Sequence, residues 1–227
     1  MTAERDSILN RIRGALETAH LPAARATLPP QATSSAPLDT AALIEAFTRE
    51  LTALRGKVHR PYDPARARET VIELLRETGD GEILAWADEA LPVAGLGEGL
   101  RRAGIKLIDP KVPYDREGRR ARQAQLARAS CGITGALAGL ADTGSLVVSS
   151  GPTRSRLASL LPPTHIALLR VADLYPSLPD LFAAQPGIAQ AGSNVVIITG
   201  PSRTADIELT PVFGVHGPKS LQVVLVI

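Results

Sequence analysis

Apolar residues recur every three or four positions at the start of the chain, which is the spacing of one helix face. They are Ile8, Leu9, Ile12 and Leu16, and they predict an amphipathic helix over residues 3–19. The segment that follows contains four prolines and many small residues, and this composition resists both helix and strand. We therefore predict a separate amino-terminal region, residues 1–37, that consists of a helix and a Pro-rich linker.

From residue 38 onward, helical patterns and short apolar runs alternate. The first two helices are predicted over 40–54, capped by Asp39 or Thr40, and over 63–77, where Asp63 can cap and Pro64 suits the first turn. Further strands are predicted over 82–86 and 105–109, and further helices over 98–103 and 115–129. This alternation is typical of a largely parallel α/β sheet.

The last third of the chain contains most of the predicted strands. These strands cover 145–149, 165–171, 194–199 and 221–227, and their nearly continuous Val, Ile and Leu runs are typical of strands covered on both faces. Between 132 and 148 a Gly-rich start, a short helix-like stretch and a turn precede the first of them. The predicted fold class is therefore α/β over residues 38–227, with a mostly parallel sheet, flanking helices and a helical amino-terminal region.

Composition excludes several classes of function. The chain has 227 residues, a net charge of +2 and few aromatic residues, so neither a basic patch nor a stacking platform for nucleic acid is expected. One cysteine, Cys131, cannot form an internal disulfide or an all-cysteine cluster, and no metal site is predicted. The start lacks a signal-peptide pattern, and no apolar run reaches about 20 residues. We expect a cytoplasmic protein without a membrane span.

Candidate chemistry begins in "VVIITGPSRTADIE", where an apolar run changes abruptly into a polar turn. Ligands of open α/β sheets bind beyond the carboxyl ends of strands. Gly200 allows the backbone to turn, while Ser202, Arg203 and Thr204 offer hydroxyls and a guanidinium. These groups suit a small carboxylate or phosphate.

A second turn has the same order of residue types. In "VVSSGPTRSR", Arg154 lies 49 residues before Arg203. If the two preceding strands are parallel neighbours, both arginines share one rim. Alternatively, Gly-Pro is common after strands and the two turns agree by chance.

Other polar residues offer weaker signals. Thr143, Gly144 and Ser145 form a turn that either binds an anion or simply starts a strand. His216, between two glycines, is an acid–base candidate or a hydrogen-bonded turn residue. Asp206 and Glu208 could supply a general base. His165 is expected to form a hydrogen bond with a backbone carbonyl. Cys131, at the start of a helix-like stretch, is expected to have a structural role in packing.

The stretches "GITGALAGLADTGSLVV", "LLPPTHIALL", "ITGPSRTADIE" and "GVHGPKSLQVVLV" occur in this order. Together they resemble the lactate-utilisation protein C family, whose shared unit is the LUD domain. The resemblance implies an α/β fold similar to the sugar-phosphate isomerase and CoA-transferase class, with a pocket at the carboxyl rim of the sheet. The residues that match the family pattern include Thr134, Thr143, Gly144, Gly200, Ser202, Arg203, Thr204, Asp206, Glu208, His216 and Gly217. Asp142 departs from the family glutamate, so its carboxylate has a shorter reach.

The resemblance further implies a role in oxidising L-lactate to pyruvate, with partner proteins that hold the iron–sulfur clusters. The leading hypothesis is a subunit without clusters or a cofactor of its own, not active alone, that binds a small carboxylate or phosphate. The alternatives are a stand-alone enzyme acting on a sugar phosphate or CoA ester, and a metabolite-sensing module that works as a homo-oligomer. Sequence alone leaves open whether the chain is an enzyme.

Overall fold

A computed structural model describes residues 2–18, 39–79, 81–108, 110, 112–113, 115–205 and 211–227. The first helix, α1 (Thr2–Thr18), belongs to a compact unit of its own, residues 1–32, and the remainder of the chain forms the second unit. In α1 the side chains of Ile8, Ile12 and Leu16 are exposed. The predicted amphipathic helix is therefore present, and these apolar side chains are exposed to solvent.

The second unit is built on a sheet of six parallel strands. In spatial order the strands are β1 (Lys57–His59), β12 (Ser220–Val226), β7 (Thr164–Arg170), β4 (Ala129–Gly135), β2 (Glu82–Ala85) and β3 (Leu107–Ile108). Consecutive side chains of the central strands are buried, so both faces are covered. This sheet confirms the predicted α/β class with a mostly parallel sheet and flanking helices.

Four further strands form a second, smaller sheet. Its order is β8 (Leu174–Tyr175), β5 (Ala138–Leu140), β6 (Ser145–Ser150) and β9 (Asn194–Ile198). A hairpin of β10 (Arg203–Ala205) and β11 (Pro211–Phe213) follows β9. Two strands that were expected in one main sheet, over 145–149 and 194–199, therefore form part of a second one.

The helices of this unit lie between the strands in sequence, and several of them begin with a side-chain cap. The helices are α2 (Thr40–Ala53), α3 (Pro64–Glu77), α4 (Leu96–Arg102), α5 (Arg116–Leu126), α6 (Leu157–Leu160) and α7 (Leu178–Ala184). Asp39 accepts from the Ala42 amide and Asp63 from the Arg66 amide, as the sequence predicts for helix caps. Helix α2 contacts β1 and α3 contacts β12, and the shared core includes Phe47, Leu51 and Ile166.

The stretch 132–148 differs from its predicted conformation. It contains the end of β4, all of β5 and the start of β6, with no helix. Gly132 explains part of the difference, because a Cβ built there would lie 1.7 Å from the carbonyl oxygen of Ala158 in α6. The glycines permit close backbone packing, and the prediction of a helix-like stretch, with Cys131 at its start, was wrong.

Candidate functional site

Two polar loops, one before β10 and one after β11, are joined by backbone hydrogen bonds. The amide of Ser202 donates to the carbonyl of Pro218 at 2.8 Å, and the amide of Gly214 donates to the carbonyl of Ser202 at 3.1 Å. Gly200 reaches this position with a left-handed backbone, φ +80°. The loop after β9 and the loop before β12 therefore form one wall.

This wall borders a cavity of about 290 Å³, which we call the histidine cavity. The guanidinium of Arg203 and the imidazole of His216 belong to exposed residues, whereas His165 is only 1% exposed. The polar side chains that line the cavity are Ser159, His165, Thr199, Ser202, Arg203 and His216, and the backbone of Gly200 and Gly217 completes the lining.

A buried pair of polar side chains lies on the inner side of this cavity. Nε2 of His165 is 2.9 Å from the hydroxyl oxygen of Thr134, while Nδ1 of His165 has no partner among the described residues. Burial lowers the pKa of His165 from 6.5 to about 4. The imidazole is therefore neutral near pH 7, and its Nδ1 is both inaccessible to solvent and without a partner among the described residues.

The turn at residues 142–145 lies behind the cavity and does not line it. The hydroxyl of Ser145 is 2.9 Å from that of Thr199 and donates to that of Thr143 at 2.8 Å, and Thr143 donates to the Asp142 carboxylate at 3.2 Å. Gly144 fits only because it lacks a Cβ, which would lie 2.4 Å from the amide nitrogen of Leu51. The predicted turn residues thus contact the cavity only indirectly, through the hydrogen bond between Ser145 and Thr199.

The cavity does not lie at the predicted rim. His165 and Leu221 line it, and they are the second residues of β7 and β12, so it opens at the amino ends of these strands. It lies beyond the carboxyl end of β9 only. The candidates Ser202, Arg203 and His216 therefore do not line the carboxyl rim of the parallel sheet, because β9 belongs to the other sheet.

Arg154 does not join Arg203. Strands β6 and β9 are antiparallel, with Val147 opposite Ile197 and Ser150 opposite Asn194. The turns that follow these strands therefore leave from opposite ends, so the condition under which the two arginines would share one rim is not met. Arg154 lines a different cleft, together with Trp86 and Gly135.

Three of the remaining candidates follow Arg203 in the sequence. Asp206 and Glu208 lie outside the described residues. Thr204 is placed by its backbone, opposite Val212. Their proposed roles in the site stay predictions.

Cys131 is a fully buried strand residue. Desolvation raises its thiol pKa to about 12. The thiol therefore stays protonated, which agrees with the packing role predicted for it.

His165 was not among the residues predicted for the site, although a histidine inside the apolar run "HIALL" is a signal for a buried polar contact. Its expected partner was a backbone carbonyl, and its partner in the structure is the Thr134 hydroxyl. Within the described residues no group of three His, Cys, Asp or Glu side chains is placed to hold a metal. Across the same residues, none of the helices combines the length and apolar character needed to span a bilayer.

Comparison with known proteins gives consistent matches. A family model described as "LUD domain" matches residues 44–226. The chain is 35% identical over 159 residues to "Uncharacterized protein YkgG" of Escherichia coli K12, an alignment covering 68% of this chain and 66% of that protein. It is 32% identical over 155 residues to "Lactate utilization protein C" of Macrococcus caseolyticus, covering 66% of this chain and 63% of that protein. The chain thus spans about two thirds of these relatives.

One solved structure also matches. It is the crystal structure of a DUF162 family protein from Deinococcus radiodurans, with a TM-score of 0.60 and 19% identity. The match covers 84% of this chain and 99% of that one. At this identity the likeness concerns the fold.

Proposed function

The chain belongs to the LUD domain family, and from this premise we propose that it is a cytoplasmic, cluster-free component of a bacterial lactate-utilisation system. Relatives named lactate utilization protein C, at about 32% identity, support a role in lactate utilisation. The histidine cavity supports a site for a small carboxylate, lactate or pyruvate. The observation that carries this assignment is the meeting of Ser202, Arg203 and His216 at one cavity.

Arg203 supplies the charge in this proposal. Among the described residues that line the cavity it carries the permanent charge, since a guanidinium stays protonated in proteins and burial keeps His165 neutral. A guanidinium binds a carboxylate through two parallel hydrogen bonds. Ser202 then offers a hydrogen-bond partner for the 2-hydroxyl or 2-oxo group, which is the part of the ligand that changes on oxidation.

Oxidation of lactate removes two protons and two electrons. In the proposal His216 accepts the proton of the 2-hydroxyl group, a step that an imidazole can perform, and Asp206 and Glu208 remain candidates for the same role. The C2–H bond breaks as the C=O bond forms, and its hydrogen and electron pair would pass to a two-electron acceptor on partner proteins, whose iron–sulfur clusters would then carry the electrons away. This chain has one cysteine, which is buried, so the division of labour fits its composition.

Calorimetric titration of lactate, pyruvate and phosphate tests the binding step. We expect Arg203→Gln to weaken binding of lactate or pyruvate about tenfold or more, since a charge-assisted hydrogen bond contributes about 1.5–3 kcal/mol and 1.4 kcal/mol is a factor of ten. Arg203→Lys keeps the charge but loses the paired geometry, so its affinity should fall between. Arg156→Gln, which removes an exposed arginine outside the cavity, is the matched control. Equal affinity for wild type and Arg203→Gln would remove Arg203 from the site.

A stand-alone enzyme is the second candidate, since the cavity already combines a cation with an imidazole. The purified chain should then turn over a sugar phosphate or CoA ester without partners, and His216→Gln should lower the rate. Lactate oxidation that appears only when iron–sulfur partners and an electron acceptor are added supports the first proposal instead.

A further inference from the structure

We propose that Asp142 sets the direction of a chain of hydroxyl groups that ends at the histidine cavity, and that this chain makes the cavity select a 2-hydroxy acid over the corresponding 2-oxo acid. The inference rests on the carboxylate site proposed above and names the oxidation state of the ligand that the site prefers. Asp142 is in this view a positioning residue, which acts through three hydroxyls, and Thr199 is the group that contacts the ligand.

Four side chains form the hydroxyl chain. Thr143 donates to the carboxylate of Asp142 at 3.2 Å, and Ser145 donates to the hydroxyl of Thr143 at 2.8 Å. The hydroxyl oxygens of Ser145 and Thr199 are 2.9 Å apart. Thr199 lines the histidine cavity, whereas the other three side chains do not. The chain therefore connects the cavity with a carboxylate that lies outside it.

The direction of the hydroxyl chain follows from the number of hydrogens. A carboxylate accepts and has no hydrogen to donate, and each hydroxyl group has one hydrogen. Thr143 gives its hydrogen to Asp142, so it accepts from Ser145. The hydrogen of Ser145 is then also committed, so Ser145 accepts from Thr199. The hydrogen of Thr199 is thus used inside the chain, and only the lone pairs of its oxygen remain for a ligand.

The pairing of β6 with β9 holds the two inner hydroxyls together. Leu146 lies opposite Ile198, so the residue before the first and the residue after the second, Ser145 and Thr199, face each other across the two strands. Ser145 is only 2% exposed. Buried hydroxyls are as a rule hydrogen-bonded within the protein, so this one depends on its two partners in the chain.

The turn before β6 is fixed on two sides by its backbone. The amide of Asp142 donates to the carbonyl of Pro176, directly after β8, at 3.0 Å. Gly144 has φ +63°, and a Cβ there would lie 2.4 Å from the amide nitrogen of Leu51 in α2. Neither contact uses the side chain of Asp142, which is exposed. Substitutions of this side chain should therefore leave the backbone of the turn in place.

An acceptor at the cavity distinguishes the two oxidation states of the ligand. A 2-hydroxyl group can donate a hydrogen bond to Thr199, whereas the oxygen of a 2-oxo group is itself only an acceptor and meets lone pairs. A site that accepts a hydrogen bond from a hydroxyl binds an analogue without that hydroxyl less tightly, because a polar group is left unpaired. The cavity should therefore bind lactate more tightly than pyruvate.

Two other groups of the cavity do not make this distinction. Among the described residues no hydrogen bond fixes the hydroxyl of Ser202, which can rotate to donate or to accept. His216 acts later: in the oxidation step the same hydrogen turns from Thr199 to the imidazole by rotation about the C–O bond of the ligand. The preference between lactate and pyruvate is set before that step, when the ligand binds.

Titration calorimetry of the full chain with L-lactate, pyruvate and propionate tests the preference. We expect lactate to bind about threefold to tenfold more tightly than pyruvate, which is the range of one neutral hydrogen bond. Propionate, which lacks the 2-oxygen, should also bind less tightly than lactate. Lactate and pyruvate carry the same charge, so a change in local charge alters both affinities alike. The ratio of the two affinities therefore reports the hydrogen bond.

Asp142→Asn tests the direction of the chain. An asparagine amide can donate as well as accept, so the chain can run in reverse and Thr199 can donate to the ligand. The ratio of lactate affinity to pyruvate affinity should then fall to about one or below. Asp142→Glu keeps an end that only accepts and should restore most of the wild-type ratio. Asp6→Asn, which removes an exposed carboxylate from the amino-terminal unit, is the matched control and should leave the ratio unchanged.

Thr199→Val tests the end of the chain at the cavity. Valine has no hydroxyl, so lactate should lose its advantage over pyruvate while both ligands still bind. Arg203→Gln is titrated in parallel and should weaken binding of both ligands. Circular dichroism checks that each variant folds.

The outcomes separate this inference from the proposal on which it rests. Equal affinity of the wild type for lactate and pyruvate, with both still dependent on Arg203, would overturn the inference alone. A wild-type preference for lactate that persists in folded Asp142→Asn and Thr199→Val proteins would place its origin elsewhere and would also overturn it. If the wild type binds neither ligand, the proposed carboxylate site and the inference both fail.

Discussion

Acidification should destabilise this protein through one buried imidazole. The pKa of His165 is about 4 in the folded chain because of burial, and its ordinary value is 6.5. When pH falls below 6.5, His165 binds a proton in the unfolded chain but stays neutral in the folded chain, so the unfolding free energy decreases as pH falls. The two pKa values differ by about 2.5, and one pKa unit corresponds to about 1.4 kcal/mol, so the full loss below pH 4 is about 3 kcal/mol.

Urea denaturation of wild type and His165→Gln at several pH values between 7.5 and 4.5 measures this contribution. At pH 5 the wild type should have lost about 2 kcal/mol through His165 relative to pH 7.5, and the variant should lack this component. Thr134→Val is the matched control, because it removes the hydrogen-bond partner but keeps the imidazole buried. It should lower stability at every pH and retain the wild-type pH dependence. Parallel pH curves for wild type and His165→Gln would refute the reasoning.

Three further predictions concern packing, capping and reactivity. Gly132→Ala should lower the unfolding free energy by several kcal/mol or prevent folding, because its Cβ would collide with the backbone of Ala158. Gly14→Ala, where a Cβ meets open space, should fold normally. Equal melting temperatures for wild type and Gly132→Ala would contradict this prediction. Asp63→Ala should lower the unfolding free energy by about 1 kcal/mol in urea titrations, and Asp63→Asn should restore most of it, since both carboxylate and amide oxygens cap helices; no recovery would count against the cap. Cys131 should react with a maleimide only as fast as the chain unfolds, because its pKa is about 12 and it is buried; rapid labelling of the native protein at pH 7 would disprove its burial.

Most of the fold could be predicted from local patterns. The caps at Asp39 and Asp63 and the apolar runs of β7 and β12 are strong signals, because a cap needs a particular side chain and a strand buried on both faces needs continuous hydrophobicity. The stretch 132–148 was misread because glycine and alanine carry no periodic signal. Its strands depend on contacts with distant backbone, such as the carbonyl of Ala158.

The histidine cavity was predicted in part. The sequence identified Ser202, Arg203 and His216, and the structure brings them to one cavity. The sequence did not reveal that β6 and β9 are antiparallel, because apolar runs of this kind do not encode strand direction. Arg154 was therefore grouped with the wrong cleft, and the pairing of His165 with Thr134, which depends on the neighbouring positions of β4 and β7, was missed.

The position of β12 has a consequence for how the protein is made. Among the described strands β12 is synthesised last, yet it lies between β1 and β7, and β1 has no other neighbour in the sheet. A nascent chain therefore carries β1 and one edge of β7 without their partner until residues 220–226 have been synthesised. Folding of the parallel sheet must finish after the ribosome has delivered residues 220–226, and ribosome-bound chains that stop short of them should be the natural clients of chaperones.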